Sequence, residues 1–370
     1  MSQSNEDLRF MAAALAIGRR GLGLSAPNPS VGALVVKDGV ILARGWTKPG
    51  GRPHAETEAL RDASLDATGA TLYVTLEPCS HHGQTPPCTD AIVASGVSRV
   101  VYAIDDPDPR ACGSAEKILE TAGIGVTKGV LEVEAKHANL GHFLCVTQKR
   151  PMITIKLVLT ADFYAARQGG EPRLLITGEP ANGLVHIMRA MHDAIMIGIG
   201  TVLADDPLLT VRLPGVEDRK PMRIVLDGDL RLPPQSRLAA TAAKIPALAI
   251  AGEGASEDRA ARLRVAHVEI AHVRRDAAGH VDLEAALNLL ASRGLTRIFC
   301  EGGPRVAAAL IGQRLADEVF LFTAPKPLAQ KGVLGLDAAT ASVLADPQQY
   351  LLAESRMIGA DRLTRRERVD

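Results

Sequence analysis

Apolar positions recur every three or four residues over 6–18, where Leu8, Met11, Ala12 and Leu15 mark one face of a helix. Pro27 and Pro29 end that pattern. A strand follows over 31–36, then a turn at Lys37-Asp38-Gly39 and a partner strand over 40–43. Further on, the pattern predicts a helix over 54–63, a strand over 71–76 and a helix over 89–95. A strand over 99–104, a helix over 115–122 and a strand over 125–130 come next. Strands alternating with helices predict an α/β sheet covered by helical layers. A polar helix over 132–148 leads into Gln148-Lys149-Arg150-Pro151, the predicted domain boundary.

Beyond Pro151 the alternation restarts. Strands are predicted over 153–159, 194–198, 223–226, 247–251, 297–301 and 318–322, with helices over 181–191, 283–292 and 305–313. This is a second α/β domain. The segment 252–275 is Ala- and Arg-rich and too weakly patterned to assign, and no internal repeat is visible.

Composition narrows the function classes. At roughly 150 residues per domain, 370 residues fit two domains. Lys+Arg and Asp+Glu both total 42; residues 1–150 hold 15 basic and 16 acidic side chains, which leaves 27 and 26 for the rest. Neither half has the basic excess of a nucleic-acid domain, and aromatics are only 3%, too few for base-stacking platforms. No run approaches the roughly 18 apolar residues of a membrane span, and residues 1–20 lack the basic-then-apolar order of a signal peptide. The expected partner is a small molecule, with no nucleic acid and no membrane. Five cysteines (Cys79, Cys88, Cys112, Cys145, Cys300) are an odd and sparse set for a secreted disulfide framework. They predict reduced thiols and a cytoplasmic location.

The cysteines also frame the first candidate chemistry. His54-Ala55-Glu56 opens a predicted helix, Pro78-Cys79 follows a strand, and Cys88 lies nine positions on. One imidazole and two thiolates form a soft three-ligand set for Zn²⁺ with the fourth position open, the arrangement of a catalytic site. Bound zinc lowers the pKa of water to near 7. Glu56 is not needed as a ligand and can carry protons in the same cavity. H-x-E followed by P-C and a second Cys is the zinc deaminase signature. Two plainer readings remain open on these residues alone: ordinary buried thiols, and a structural zinc with His81 or His82 as fourth ligand.

The stretch T-L-E-P-C-S-H-H-G-Q-T-P-P-C-T-D resembles the deaminase domain of the bifunctional riboflavin biosynthesis family, as do Asn28-Pro-Ser-Val-Gly32 and Gly45-Trp-Thr-Lys-Pro-Gly-Gly-Arg-Pro-His-Ala-Glu56. The resemblance covers the whole chain. It implies a cytidine-deaminase-like α/β/α domain over 1–147 and a dihydrofolate-reductase-like α/β domain over 151–370. The implied deaminase removes the 2-amino group of 2,5-diamino-6-(5-phosphoribosylamino)pyrimidin-4(3H)-one. His54, Cys79 and Cys88 would hold one Zn²⁺ per chain, Glu56 would shuttle protons, and Asn28 would meet the base or ribose.

The second domain has no G-x-G-x-x-G after its first strand and is not an ordinary Rossmann unit. It has two Gly-containing turns, Gly198 to Arg212 and Cys300-Glu-Gly-Gly-Pro-Arg305. Each alone is as readily a plain loop as a phosphate cradle. T-V-L-A-D-D-P-L-L-T-V-R and E-G-G-P resemble the family's NADPH-dependent reductase domain. By that resemblance Leu159, Thr201, Asp205, Gly303, Pro304, Arg305, Val306 and Ala307 would meet NADPH. Lys156, Arg173, Arg189, Leu209, Arg212 and Glu301 would surround the phosphoribosyl substrate. The chain departs from the family where S-L-D-G becomes Thr160-Ala-Asp-Phe163 and S-x-W-I-T becomes Arg173-Leu-Leu-Ile-Thr177. With Phe163 in place of Gly, the backbone there cannot lean on glycine's freedom at positive φ. A different zinc deaminase with a degenerate second domain, and a non-enzymatic zinc-binding interaction module, are the alternatives. Homo-oligomerisation is left open.

Overall fold

The computed structural model describes residues 4–168 and 174–369, and the chain divides into two compact units, Met1–Arg150 and Pro151–Asp370. The first unit is one five-stranded sheet flanked by helices. Its strands are β1 (Gly32–Lys37), β2 (Val40–Trp46), β3 (Thr71–Val74), β4 (Arg99–Tyr102) and β5 (Gly125–Lys128), in spatial order β2-β1-β3-β4-β5. β1 is antiparallel to both β2 and β3, while β3, β4 and β5 run parallel to one another. The expected hairpin turn is built on Asp38 (φ 51°) and Gly39 (φ 75°), the two positive φ values of a type I′ turn. The helices are α1 (Asn5–Gly18), α2 (Ala55–Ala63), α3 (Cys88–Ser95), α4 (Ser114–Thr121), α5 (Glu132–Ala138) and α6 (Leu140–Gln148). The single helix expected over 132–148 is therefore two. Asn139 breaks it with φ −109° and ψ 20°, and its buried Oδ1 accepts the Ser30 amide at 2.9 Å. A tertiary hydrogen bond to a buried backbone donor overrides helix continuity there.

The second unit is a nine-stranded sheet in the order β11-β10-β9-β8-β12-β6-β13-β16-β15. In chain order its strands are β6 (Met152–Leu159), β7 (Tyr164–Arg167), β8 (Ala194–Gly198), β9 (Met222–Leu226), β10 (Ala247–Gly252), β11 (Glu269–Val273) and β12 (Arg297–Cys300). Then come β13 (Glu318–Thr323), β14 (Gly332–Leu334), β15 (Tyr350–Ile358) and β16 (Asp361–Arg368). From β11 to β13 every neighbour is parallel; β16 and β15 add an antiparallel edge, and β7 pairs separately with β14. The helices are α7 (Glu179–Ala190), α8 (Ile199–Asp205), α9 (Arg237–Ala240), α10 (Glu257–Val265), α11 (Leu283–Ser292), α12 (Pro304–Gly312) and α13 (Ala338–Ala345).

The central strands read as continuous apolar runs because both sheet faces are covered. On β8, Ala194 and Met196 join one hydrophobic cluster while Ile195 and Ile197 join another, as the two-residue period requires. The unassigned segment 252–275 holds α10 and the edge strand β11. Only Ala260 and Leu263 of α10 are buried, so its apolar stripe is too thin to show in the sequence.

Candidate active sites

Helix α2 sets the first site. His54 is its N-cap residue and Glu56 lies in its first turn, buried. Gly45 on β2 lets the helix lie against the sheet: a Cβ there would meet the Ala55 carbonyl at 2.0 Å. Cys79 follows the carboxyl end of β3, and Cys88 opens α3 and donates its amide to Cys79 Sγ at 3.3 Å. Nδ1 of His54 sits 3.2 Å from Cys88 Sγ and 3.6 Å from Cys79 Sγ. Zn–N and Zn–S bonds of normal length at tetrahedral angles put an imidazole nitrogen about 3.5 Å from a thiolate sulfur, so the three donors fit zinc.

Among the described residues no fourth His, Cys, Asp or Glu joins the group. His81 and His82 stay outside it, so the chain does not complete a closed structural zinc site. The donor set leaves one coordination position free for a reacting molecule. The hydrogen bond from Cys88 pulls the Cys79 thiol down to about 4, while the same contact and burial push Cys88 well up. Burial raises the Glu56 carboxyl above its ordinary range, which suits a group that must both take and give a proton.

Glu77, His142 and Arg52 support the site although no motif singles them out, whereas Asn28 is an expected site residue. Glu77, buried one position before Pro78, accepts the amides of Gly113 at 2.8 Å and Asp106 at 3.2 Å, which anchors the chain just ahead of Cys79. His142 on α6 reaches Asp106 Oδ1 at 3.1 Å. Asn28 donates to the Gly51 carbonyl at 3.1 Å, and its Nδ2 lies 3.5 Å from His54 Nε2. Arg52 reaches the same Nε2 at 3.3 Å and Thr85 Oγ1 at 2.6 Å.

The second site lies at the carboxyl ends of β6, β8 and β12, where parallel sheets form ligand crevices. Glu301 directly follows β12, and its carboxylate is only 7% exposed. Lys156 Nζ donates to it at 3.3 Å, and Arg189 grips it through both Nε and Nη2. Burial alone would raise the Glu301 carboxyl, but the charges of Arg189 and Lys156 outweigh it and hold the group down at about 2. Arg189 also donates to the Thr210 carbonyl at 2.9 Å. Arg212 donates its side chain to Thr210 Oγ1 and its amide to His186 Nδ1. Leu209, at φ 51°, is buried between these groups in sequence.

The two Gly-containing turns meet: the Gly303 amide donates to Thr201 Oγ1 at 3.2 Å. Pro304, Arg305, Val306 and Ala307 form the first turn of α12, and Leu159 ends β6, buried. Asp205 ends α8 exposed, with no hydrogen bond to another candidate among the described residues. Arg173 lies outside the described residues.

At Phe163 the backbone keeps φ +66° although glycine is absent, and the ring is 57% exposed. A non-glycine residue there carries roughly 1–2 kcal/mol of strain. The turn is over-determined: Phe163 N–H donates to Thr160 O, Tyr164 N–H to Thr160 Oγ1, and Asp162 accepts the Leu328 amide at 2.7 Å.

Both units have counterparts among known proteins. Residues 4–104 match the cytidine and deoxycytidylate deaminase zinc-binding region, and residues 151–342 match the RibD C-terminal domain. The chain is 37% identical to riboflavin biosynthesis protein RibD of Escherichia coli (strain K12), over 96% of this chain and 98% of the relative. It is 38% identical to the RibD of Aquifex aeolicus (strain VF5), over 86% and 87%. A crystal structure from Thermotoga maritima, described as a diaminohydroxyphosphoribosylaminopyrimidine deaminase/5-amino-6-(5-phosphoribosylamino)uracil reductase, superposes with a TM-score of 0.83 at 34% identity, covering 98% of this chain and 99% of that one. Acinetobacter baumannii RibD, form 1, gives 0.84 at 30% identity, covering 99% of each. With a zinc-type deaminase site in one α/β unit and a reductase unit after it, the chain belongs to the RibD family of riboflavin biosynthesis proteins.

Proposed function

We propose that the chain catalyses two successive reactions on one small molecule. The first unit hydrolyses the 2-amino group of 2,5-diamino-6-(5-phosphoribosylamino)pyrimidin-4(3H)-one, consuming water and releasing ammonia. The second adds one hydride and one proton to the ribosyl side chain and gives a ribityl group. The cofactors are zinc and NADPH.

His54 Nδ1, Cys79 Sγ and Cys88 Sγ are the residues that would hold zinc. When bound, the metal supplies activated water near neutral pH. Glu56 does the proton work. Its buried carboxyl takes a proton from the attacking water and delivers it to the ring nitrogen, then takes the remaining hydroxyl proton and gives it to the amino group, which leaves as ammonia while the carbonyl forms. Asn28 fixes the edge of the pocket through Gly51.

In the second unit, Glu301 stays ionised and holds the Lys156 ammonium in place beside the crevice. Arg189 gives three of its five donors to Glu301 and Thr210, which orders the wall and leaves two N–H groups for the substrate. The meeting of Thr201 with Gly303 prepares the turn that would receive the NADPH phosphates. NADPH supplies the hydride; the protein supplies position. The proposed location is the cytoplasm, where zinc-binding thiols stay reduced.

The observation that carries the deaminase reading is the three-donor group of His54, Cys79 and Cys88 with Glu56 buried beside it. Purified zinc-loaded protein given the diaminopyrimidine substrate should release ammonia. Given the deaminated intermediate, it should oxidise NADPH. Folded, zinc-loaded protein that releases no ammonia sinks the first half; no NADPH oxidation sinks the second.

A further inference from the structure

Arg52 is a cation held against a zinc-site residue without a counter-charge. Among the described residues no carboxylate pairs with it, whereas nearby Lys48 and Arg61 both pair with Glu58. Its contacts are two neutral atoms, Thr85 Oγ1 at 2.6 Å and His54 Nε2 at 3.3 Å. Its Nη2 lies over Gly83, 3.6 Å from where a Cβ would stand. The guanidinium thus bridges the start of α2 and the loop between Cys79 and Cys88.

The contact with His54 is conditional. Arginine only donates hydrogen bonds, so it needs a bare lone pair on Nε2. With a metal on Nδ1, the neutral ring carries its proton on Nε2, and donor would then face donor. In the loaded site Arg52 keeps Thr85 alone among its present partners. A half-buried guanidinium with idle donors beside the proposed zinc donors calls for an anion, and its planar fork suits phosphate oxygens.

We infer that Arg52 binds the phosphate of the phosphoribosylated substrate in the deaminase site. The inference rests on the deaminase reading above and names the part of that substrate the residue recognises. Thr85 and the small Gly83 hold the fork in position. Because the phosphate is remote from the reacting carbon, the contact serves ground state and transition state alike and acts on KM rather than kcat.

The test compares the full-length zinc-loaded parent with Arg52→Gln and Arg52→Lys, on the diaminopyrimidine substrate and on its dephosphorylated form. Arg52→Gln should raise KM for the phosphorylated substrate about tenfold or more, within the range of a charge-assisted contact, with kcat within about twofold of the parent. Arg52→Lys should fall between. Without the phosphate, parent and variants should share one KM. An equal KM loss on both substrates, or a kcat loss on both, overturns the inference and makes Arg52 a support for His54. If the Gln variant does not fold, the Lys variant carries the same comparison. Calorimetric titration of ribose 5-phosphate needs no turnover and separates the two claims. Heat lost in Arg52→Gln, with no ammonia from the parent, overturns the deaminase reading and keeps the anion site. Equal heat in both, with ammonia from the parent, overturns the anion site alone.

Discussion

In the first unit the proposed metal donors come from a short stretch of chain: His54 and Cys88 are 34 positions apart. In the second unit Lys156 and Glu301 are 145 positions apart, and Arg189 and Glu301 are 112 apart. The zinc site is specified by rare side chains at the start of two helices. The Glu301 cluster exists only because β6 and β8 both flank β12. Substitution in the first site should therefore strike chemistry more than stability, while substitution in the second should strike both.

The largest expected effect is on Glu56. Glu56→Gln should keep zinc and the melting temperature, and lose about 10²- to 10⁴-fold in ammonia release, the usual contribution of a general acid–base group. NADPH oxidation with deaminated intermediate should be unchanged. Near-parental ammonia release would remove Glu56 from its role.

Arg189→Leu tests the opposite pole. Among the described residues it leaves Glu301 buried with Lys156 as its remaining ion partner, and breaking such a pair costs about 3–5 kcal/mol. Urea denaturation of the second unit should show that loss together with a fall in reductase rate. A rate loss at unchanged stability would mean that the second site is as separable from its fold as the zinc site.

A pH test follows from His192. The ring is buried, its Nδ1–H donates to the Met188 carbonyl, and its Nε2 has no partner. Burial lowers its pKa from 6.5 to about 4. The unfolded chain then binds the extra proton first, so stability is full above about pH 6.5 and falls as pH drops towards about 4. The loss is of order 3 kcal/mol. His192→Phe should flatten that part of the melting-temperature profile; an unchanged slope would assign it to other groups.

The smallest effect has the opposite sign. Phe163→Gly removes a positive-φ strain of roughly 1–2 kcal/mol, partly offset by glycine's extra freedom when unfolded. The second unit should melt slightly higher, and a lower melting temperature would mean that the exposed ring has packing worth more than the strain.

The same contrast explains what the sequence disclosed. Zinc chemistry admits few residue types, so His54, Glu56, Cys79 and Cys88 are legible one by one. The central strands were legible because burial on both faces leaves apolar runs. β16 was not: its charged residues Arg362, Arg365, Arg366 and Arg368 conceal a strand paired on both sides by β13 and β15. Asn139 reads as an ordinary helix position until Ser30, 109 residues away, supplies its amide. Arg189 could be named as a candidate, but its commitment to Glu301 depends on the neighbouring strands, and Arg52 carried no pattern at all.

The central claim is that one chain holds a deaminase and a reductase acting in sequence on the same molecule. Its most direct test follows ammonia and NADPH together when zinc-loaded protein is given the diaminopyrimidine substrate. Ammonia should appear without NADPH and, once NADPH is added, about one NADPH should be oxidised for each ammonia released. NADPH oxidation without ammonia, or ammonia with no NADPH consumed, would contradict it.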